Sequence, residues 1–396
     1  MKQYDNVTCL AGVRNVSTRP FEPYDELLCK FLNDLSVELR SHDDSSAYPD
    51  VIAFSFWCRK ANITKLKTNF KNGETRLGLG VVLHITPSNV PVNFAFSFVF
   101  GLLSGNANIV RVPSKPFPQI GIICAAIDKL FADNKYKEIK AMTSFIKYEQ
   151  NDEITGMFSA NCNARMIWGG DVTIKNIRKF PIPERCVDIA FSDRYSLCVI
   201  DVLSIVKLDK EKLIKLSEKF YNDTYLMDQN ACSSPHLIVW KGKGNEELKE
   251  RFWKAVHNTV KEKYQLADIN VIDKYTSLCK DAIELKDIRS FKKHDNFVYR
   301  IQLEKVSDNI DRVRGKFGHF YEYETDDINS ITHIINSKYQ TLTYFGLNKL
   351  ELLNFVVKNR LSGIDRIVPV GKALEMDIIW DGYDIVRSLS RNIEVK

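Results

Sequence analysis

Short apolar segments alternate with amphipathic segments along most of the chain from Gly78 onward. β-branched and other apolar residues predict strands, in chain order, at residues 81–85, 108–112, 165–168, 187–191 and 197–202. The longest apolar run, which carries Asn93 and Ser97 within it, predicts a buried helix at residues 91–103. Helical spacing of apolar residues predicts helices at residues 117–131 and around Ile174 and Ile177. This alternation predicts a parallel, doubly wound sheet.

A second set of elements begins near Leu208. Asp209 is placed to cap a helix that buries one apolar face, and a later helix carries an apolar stripe from Leu248 to Val260. Further strands are predicted at residues 237–240, 269–272 and 298–301. The pattern therefore indicates a second α/β unit. Residues 1–75 are polar and predict helices and an outer arm, whereas the apolar and aromatic segment 367–386 predicts an ordered tail.

The composition excludes several classes of protein. A chain of 396 residues is long enough for two domains, and its 44% hydrophobic and 27% charged residues are typical of a soluble globular protein. Lysines and arginines are scattered rather than gathered in a stripe, so the net charge of +6 suits small anionic ligands better than nucleic acid. The apolar run at residues 90–103 is too short to span a bilayer, and the N-terminal residues lack the apolar core of a signal peptide.

The cysteines indicate reduced thiols. There are nine of them, an odd number, and no two have the CxxC spacing, which disfavours both a zinc site and a disulfide framework. We therefore expect a cytoplasmic protein with no metal site.

Cys232 is the candidate nucleophile. It lies in the segment Asp228-Gln229-Asn230-Ala231-Cys232-Ser233-Ser234-Pro235, between a helix and an apolar strand. A thiol at such a junction lies beside backbone N–H groups that strand pairing does not use, and these stabilise a thiolate and an oxyanion. The alternative for any cysteine is a small buried hydrophobic residue. His236 either pairs with the thiol or, as we prefer, begins the strand.

The loop Thr86-Pro87-Ser88-Asn89-Val90-Pro91 follows the first clear strand. Its two prolines are four residues apart and hold the loop extended. An Asn89 amide fixed at the carboxyl end of a strand is a suitable oxyanion donor. The spacing alone favours a simpler role, in which Asn89 caps the following helix.

Two further strand ends carry groups suited to an anionic ligand. Trp168-Gly169-Gly170-Asp171 stands at a strand-to-helix junction, where glycines let a diphosphate approach the backbone, although a plain glycine turn explains it equally well. Val110-Arg111-Val112-Pro113-Ser114-Lys115 ends in basic and small polar residues. Arg111 and Lys115 can reach an adenosine ribose or its phosphate, or else are solvated surface cations.

Taken together, these motifs resemble those of the aldehyde dehydrogenase superfamily and, within it, the LuxC-type acyl-CoA reductases of bacterial bioluminescence fatty-acid reductase complexes. The Asn89 loop is similar to the superfamily's proline–aromatic–asparagine loop, Asn230-Ala231-Cys232 to the motif of the nucleophilic cysteine, and Gly169-Gly170 to the diphosphate turn. Later landmarks of the acyl-CoA reductase branch are similar to Tyr344-Phe345-Gly346-Leu347 and Trp380-Asp381-Gly382-Tyr383. The resemblance runs from about Gly78 to the C-terminus.

Departures from the superfamily pattern bear on the reaction. Ala190 stands where aldehyde-oxidising members keep the glutamate that activates water, so hydrolysis of an acyl-enzyme should be slow, unless Asp188 on the same side of the strand replaces it. Lys115 replaces an acid that binds ribose hydroxyls, which favours NADPH, with NADH as the alternative. Gly315-Lys316-Phe317-Gly318 is similar to the Glu-x-Phe-Gly motif of the nicotinamide ribose site but lacks its acid.

The resemblance implies a Rossmann-type cofactor domain and a second α/β catalytic domain. Residues 1–75 lie outside the resemblance and are predicted as the helical arm from their polar composition. The resemblance assigns residues 76–202 to the cofactor domain, 203–365 to the catalytic domain, and 366–396 to a segment that returns to the cofactor domain or to an oligomer interface. Catalysis is assigned to Cys232 and Asn89. Cofactor binding is assigned to Thr86, Pro87, Arg111, Ser114, Lys115, Gly169, Gly170, Asp171 and Phe317.

The implied activity is reduction of an acyl-CoA or acyl-protein thioester to the aldehyde through an acyl-cysteine. The alternatives are an aldehyde dehydrogenase that makes acids, against which Ala190 argues, and a non-redox cysteine acyltransferase. An acyl-activating synthetase partner and a homodimer or homotetramer are further expectations from the resemblance.

Overall fold

The computed structural model describes residues 6–70 and 75–396. The chain divides into two compact units, of which the first comprises Met1–Ser192 with Asp377–Lys396 and the second comprises Asp193–Met376. Each unit is built on a sheet of mainly parallel strands, which confirms the predicted α/β class.

The elements follow in chain order. The first unit starts with β1 (Thr8–Gly12), α1 (Glu26–Ser41), α2 (Pro49–Trp57), α3 (Lys60–Phe70), β2 (Arg76–Gly78), β3 (Val81–Ile85), α4 (Asn93–Leu103), β4 (Ala107–Arg111), α5 (Pro118–Phe131), α6 (Lys137–Ala141), β5 (Thr143–Lys147), α7 (Asp152–Ala160), β6 (Ala164–Trp168), α8 (Asp171–Arg178) and β7 (Val187–Phe191). The second unit contains β8 (Tyr195–Asp201), α9 (Val202–Val206), α10 (Lys210–Thr224), β9 (Pro235–Lys241), α11 (Glu246–Lys263), α12 (Asp268–Glu284), β10 (Ile288–His294), β11 (Val298–Leu303), β12 (His319–Thr325), β13 (Tyr339–Phe345), α13 (Lys349–Lys358) and β14 (Arg366–Pro369). The chain ends with β15 (Ile379–Trp380), β16 (Tyr383–Asp384), α14 (Ile385–Ser388) and β17 (Ser390–Asn392). Short 3₁₀ helices occur at Asp43–Ala47, Asn134–Tyr136, Tyr225–Met227, Ile310–Arg312 and Ile328–Ile334.

The first sheet has the strand order β1-β5-β4-β3-β6-β7. Its strands are parallel except for β1, which is antiparallel to β5. All five residues of the central strand β3 are buried, as expected for a strand covered on both faces. The order reverses between β3 and β6, and in sheets of this kind ligands bind beyond the carboxyl ends of the strands at such a point.

The second sheet has the strand order β10-β11-β12-β9-β8-β13-β14. Only its edge strand β10 is antiparallel to its neighbour. The strands β8, β9 and β13 supply core residues to both faces of the sheet, so the loops at their ends start from fixed positions.

Several predicted elements match the structure and some do not. Strands predicted at residues 81–85 and 187–191 are confirmed as β3 and β7, and Asp209 caps α10 by accepting a hydrogen bond from Lys212 N. The strand predicted at residues 269–272 is wrong, because these residues lie in α12. Ile269 and Ile272 are mostly exposed there, so a short β-branched run proved ambiguous between helix and strand.

Two segments, β8 and β1, pair outside the domains predicted for them. β8 falls within the segment that sequence analysis placed in the first domain, but it pairs with β9 and β13 of the second sheet. β1, from the predicted arm, extends the first sheet. The C-terminal β17 pairs with β2, so the tail belongs to the first unit.

Within residues 6–70 and 75–396, no helix combines the length and the apolar character needed to cross a membrane. Over the same residues, no group of three or more His, Cys, Asp and Glu side chains is arranged to hold a metal ion.

Candidate active site

A buried chain of hydrogen bonds joins β3 to its neighbours in the first unit. Trp168 Nε1 donates to Ser97 Oγ at 2.9 Å, and Ser97 Oγ lies 2.7 Å from His84 Nδ1. His84 Nε2 lies 2.9 Å from Asn108 Oδ1, an oxygen that only accepts, so the ring carries its proton on Nε2 and accepts at Nδ1. Burial lowers the pKa of His84 to about 4, which keeps the ring neutral. This series of hydrogen bonds therefore fixes the Trp168 side chain, which directly precedes the Gly169-Gly170 turn.

The ends of β3 and β4 are tied together at the carboxyl edge of the first sheet. Thr86 Oγ1 donates to the carbonyl oxygen of Arg111 at 2.7 Å, and half-buried Pro87 follows. The Arg111 guanidinium lies 4.4 Å from the centroid of the Tyr148 ring and donates to Tyr148 O at 3.4 Å. The Arg111 side chain is thus held against Tyr148 and is not freely solvated, which was the alternative from the sequence.

Ser114 and Lys115 are both exposed beyond the end of β4. The Lys115 ammonium lies 5.2 Å from the centroid of the Phe117 ring. Lys115 is therefore accessible to an anion on the same edge of the sheet as Arg111.

Asn89 is exposed on the loop between β3 and α4. The N-cap of α4 is Val92, and no side chain caps this helix. The alternative in which Asn89 caps the helix is therefore wrong. Its role as an oxyanion donor stays a prediction.

At the Trp168 end of β6, the predicted glycine turn lies beside the Trp380-Asp381-Gly382-Tyr383 segment. The Trp168 and Phe191 rings are stacked with centroids 3.7 Å apart, and Tyr383 contacts Phe191 edge-on at 5.9 Å. Asp381 and Gly382 both have positive φ and form the two-residue turn between β15 and β16, which places Tyr383. The Trp380-Asp381-Gly382-Tyr383 landmark thus packs beside the glycine turn.

Asp188, the candidate substitute for the missing glutamate, is engaged in ion pairs. Its two carboxylate oxygens accept from Arg165 Nε at 3.0 Å and from Arg178 Nε at 2.9 Å. A carboxylate bound to two guanidinium groups has a structural role, and this disfavours Asp188 as a base. Ala190 lies on β7 opposite Ile167 of β6.

In the second unit, Cys232 occupies a tight turn directly before β9. The turn is closed by Ser234 N, which donates to Ala231 O at 2.9 Å, and the Cys232 side chain is half-buried. Ser234 Oγ donates to the carbonyl oxygen of Asp223 in α10 at 2.7 Å. The cysteine is therefore accessible yet fixed to both the strand and the preceding helix.

Ser196 holds the carbonyl group of Cys232. Its Oγ donates to Cys232 O at 2.7 Å and accepts from Thr341 N at 3.1 Å. The regular pairing of β8 is interrupted at this level on both sides, by the bulge at His236 in β9 and by extra residues in β13. The Ser196 hydroxyl therefore provides hydrogen-bond partners for the Cys232 carbonyl and the Thr341 N–H at the point where regular strand pairing is interrupted.

Gln229 joins the cysteine turn to the loop that precedes β12. Its Oε1 accepts from Gly318 N at 3.1 Å and from His319 N at 3.2 Å, while its Nε2 donates to Pro235 O at 3.1 Å and to His319 O at 3.0 Å. Gln229 is fully buried, and both it and Asp228 have positive φ, a conformation that needs such compensation. The side-chain amide of Gln229 thus joins the turn that carries Cys232 to the loop that precedes β12.

Phe317 lies on the loop that Gln229 binds. Its N–H donates to Asp228 O at 3.2 Å, and its carbonyl oxygen accepts from Lys274 Nζ at 2.8 Å. Burial lowers the pKa of Lys274 to about 6, and its Nζ also donates to Asn296 O at 2.9 Å and to Phe297 O at 3.0 Å. The Phe317 side chain is almost completely buried.

Gly315 explains why the acid of this motif is missing. A Cβ at this position would lie 1.7 Å from the carbonyl oxygen of His319, so no side chain fits. The Gly315 carbonyl accepts from His236 Nδ1 at 3.1 Å, and burial lowers the pKa of His236 to about 3. His236 is therefore a neutral structural residue at the bulge of β9, as preferred from the sequence.

The predicted residues form one group within each unit. Thr86, Arg111 and Gly169-Gly170 lie at the carboxyl edge of the first sheet, while Cys232 and Phe317 lie at the amino ends of the neighbouring strands β9 and β12. Sequence analysis missed Ser97, Ser196, Gln229 and Lys274, which hold these groups in place.

The fold is that of the aldehyde dehydrogenases. Aldehyde dehydrogenase 21 from Physcomitrella patens, in complex with the reaction product succinate, is similar with a TM-score of 0.64 and 10% identity over 93% of this chain and 85% of that one. Lactaldehyde dehydrogenase from Escherichia coli has a TM-score of 0.62 and 11% identity over 94% and 86% of the two chains. A mutant of the Thermus thermophilus 1-pyrroline-5-carboxylate dehydrogenase has a TM-score of 0.62 and 12% identity over 93% and 80%. At such identity the similarity shows the fold alone.

The sequence defines the family more narrowly. The family model for acyl-CoA reductase (LuxC) matches residues 60–392. The chain therefore belongs to the acyl-CoA reductase (LuxC) family, which confirms the resemblance inferred from its motifs. No curated protein sequence matches the chain. Family and fold together imply a nicotinamide cofactor.

The start of α8 fits the diphosphate of such a cofactor. Gly170 is the N-cap of α8 and no side chain caps the helix there. Its φ of −66° is open to any residue, and a Cβ would meet nothing within 4 Å. The fold itself therefore does not require glycine at this position, and the open space before the helix N-terminus suits an anionic group. Asp171 is exposed in the first turn of α8.

Proposed function

We propose that this acyl-CoA reductase converts an acyl thioester to the aldehyde through an acyl group carried on Cys232, with NADPH as the reductant. The observation that carries the proposal is the position of Cys232, half-buried in a turn that Ser196 and Gln229 fix from two sides. Membership of the acyl-CoA reductase (LuxC) family supports the substrate class.

The chain's own residues supply the first half of the reaction. The Cys232 thiolate attacks the carbonyl carbon of the thioester, the bond to the carrier sulfur breaks, and the carrier leaves as a thiol. We assign the Asn89 amide, by its family resemblance, to hold the oxygen on which negative charge develops. A bound reduced nicotinamide supplies the hydride that releases the product as aldehyde.

The residues at and beside the superfamily's glutamate position support a reductase over an acid-forming dehydrogenase. Ala190 stands at the position of the superfamily's glutamate, and both oxygens of Asp188 are bound to arginines. An acyl group on Cys232 is therefore expected to persist until it is reduced.

The acyl-enzyme is the first test. The protein is mixed with a radiolabelled acyl-CoA in the absence of cofactor. It should retain the label as a thioester, which hydroxylamine cleaves, and free fatty acid should form slowly. Asn89→Ala should slow acylation by roughly 10²- to 10³-fold, which is the effect of removing one oxyanion donor. Ser88→Ala, in the same exposed loop, is the control and should acylate normally. Rapid formation of fatty acid would contradict the proposal.

Cofactor preference is the second test. Lys115→Glu should lower kcat/KM for NADPH relative to NADH by roughly tenfold or more, because hydrogen bonds to charged groups contribute about 1.5–3 kcal/mol. Gly170→Ala adds only a methyl group at the helix start, so it should weaken both cofactors alike while leaving the melting temperature nearly unchanged. A wild-type enzyme that prefers NADH would overturn the assignment of NADPH.

On the family resemblance alone, we extend the proposal to an acyl-activating synthetase that supplies the acyl group and to a homodimer or homotetramer. Light scattering on the purified chain, alone and with a synthetase, measures both.

A further inference from the structure

Two thiols outside the candidate active site lie side by side in the first unit. Cys162 Sγ and Cys186 Sγ are 3.7 Å apart. Cys162 is the second residue after α7, and Cys186 directly precedes β7. Because Ala164 of β6 pairs with Val187 of β7, the two cysteines stand at the amino ends of neighbouring parallel strands. The hydrogen bond from Val187 N to Asn163 O, 3.1 Å, fixes these two segments next to each other.

The two thiols differ in access and in chemical environment. Cys162 is buried and its Sγ lies 3.2 Å from Ser159 O, whereas Cys186 is half-buried. The hydrogen bond from Cys162 lowers the pKa of Cys186, and the nearby Arg165 guanidinium adds to this effect. Burial and the adjacent sulfur raise the pKa of Cys162. Cys186 is thus the accessible, more acidic thiol of the pair.

Arg165 gives this pair a fixed positive neighbour, whose effect on the pKa of Cys186 the Asp188 carboxylate partly offsets. It is almost fully buried, and its guanidinium donates to Asp188, to Ser159 Oγ at 3.4 Å and to the carbonyl oxygens of Ile177 and Phe180 at 3.0 and 3.3 Å. These contacts hold the arginine at the thiols and connect the site to the last turn of α8. A buried arginine beside an accessible thiol is an environment that stabilises a thiolate.

We propose that Cys162 and Cys186 form a dithiol modification site that closes reversibly into a disulfide with a low-molecular-weight disulfide as the oxidant. The Cys186 thiolate attacks one sulfur of the oxidant, which forms a mixed disulfide and releases one thiolate of the oxidant. Cys162 then loses its proton to solvent and attacks the Cys186 sulfur, which releases the second thiolate. Two protein thiols are oxidised and one disulfide is reduced to two thiols, so electrons and atoms balance.

The geometry requires only a small movement. The sulfur atoms must approach from 3.7 Å to the bond length of about 2.05 Å, and they lie on segments that a backbone hydrogen bond already joins. The site lies at the amino ends of β6 and β7, whereas the Gly169-Gly170 turn follows the carboxyl end of β6. The dithiol site is therefore separate, within the first unit, from the glycine turn assigned to cofactor binding.

The test is treatment of the whole reduced protein with oxidised glutathione, followed by acid quenching, alkylation and peptide mass mapping without reduction. We expect the loss of two hydrogen atoms, one linked peptide pair that contains Cys162 and Cys186, and full reversal by dithiothreitol. Cys162→Ser should instead stop at a glutathione adduct on Cys186, and Cys186→Ser should leave Cys162 reduced.

Two outcomes would overturn the inference. One is a stable glutathione adduct on Cys186 in the wild-type protein, because it would show that Cys162 does not resolve the mixed disulfide. The other is a linked pair that involves any other cysteine. Neither outcome bears on acyl transfer to Cys232, which is measured separately with acyl-CoA.

Discussion

Cys232→Ala is expected to lower aldehyde formation from acyl-CoA by a factor on the order of 10⁴ or more, the size of loss seen when a catalytic nucleophile is removed. The reason is that no other group in the proposed mechanism accepts the acyl chain, so the reaction stops before reduction. Covalent labelling by acyl-CoA should disappear as well. Steady-state rates and intact-protein mass spectrometry measure the two losses independently.

The control for this variant is Cys279→Ala, which removes an exposed thiol from α12 of the same unit and should leave both measurements at wild-type levels. Ser196 binds the carbonyl group of residue 232, a contact that alanine keeps, so the turn is expected to survive in Cys232→Ala. Covalent acylation that persists in this variant would reject Cys232 as the nucleophile.

Gln229→Leu is expected to lower the free energy of unfolding by roughly 3 kcal/mol or more. The substitution leaves two buried N–H groups, at Gly318 and His319, and two buried carbonyl groups, at Pro235 and His319, without the partner they now have. Each unsatisfied buried group costs about 1–3 kcal/mol, and relaxation of the loops recovers part of the total. Chemical denaturation measures the loss.

A local measurement separates this role from a general loss of packing. The amide hydrogens of Gly318 and His319 should exchange much faster in Gln229→Leu, while those of the central strands keep their protection. The acylation rate should fall because the same amide holds the turn of Cys232. Gln265→Leu changes an exposed glutamine of the same unit and should alter stability by no more than about 0.5 kcal/mol. Unchanged exchange at these two amides would refute the positioning role.

The sequence predicts the first sheet better than the second. Residues 81–85 and 187–191 are mostly apolar, with one polar residue each, His84 and Asp188. Short, mainly apolar runs of this kind are typical of strands in parallel sheets. The strand β12 was missed because Glu322 and Glu324 interrupt its apolar pattern. Glu322 is buried all the same, because the indole N–H groups of Trp240 and Trp253 both donate to its Oε1 at 2.7 Å. Those partners are about 70 to 80 residues away, and local periodicity does not reveal them.

In the candidate site, too, the residues that belong to short motifs were predictable, whereas the residues whose role depends on partners distant in sequence were not. Cys232 and the glycine turn were identifiable because each is a short motif at a predicted strand boundary. Gln229 stands only three residues before the cysteine, but its importance comes from a loop some ninety residues later. The pairing of Asp188 with two arginines likewise depends on Arg165 in the neighbouring strand and Arg178 at the end of α8.

The close packing around Gly315 has a consequence for the engineering of this protein. Because a Cβ there would overlap the His319 carbonyl, a single codon change that restores the superfamily's glutamate would have to rebuild the backbone at the same time. A glutamate at position 315 is therefore expected to be tolerated only together with a change in the backbone of this loop. An engineer who wishes to regain that contact would have to transplant the whole loop, together with the turn around Gln229 that is folded against it.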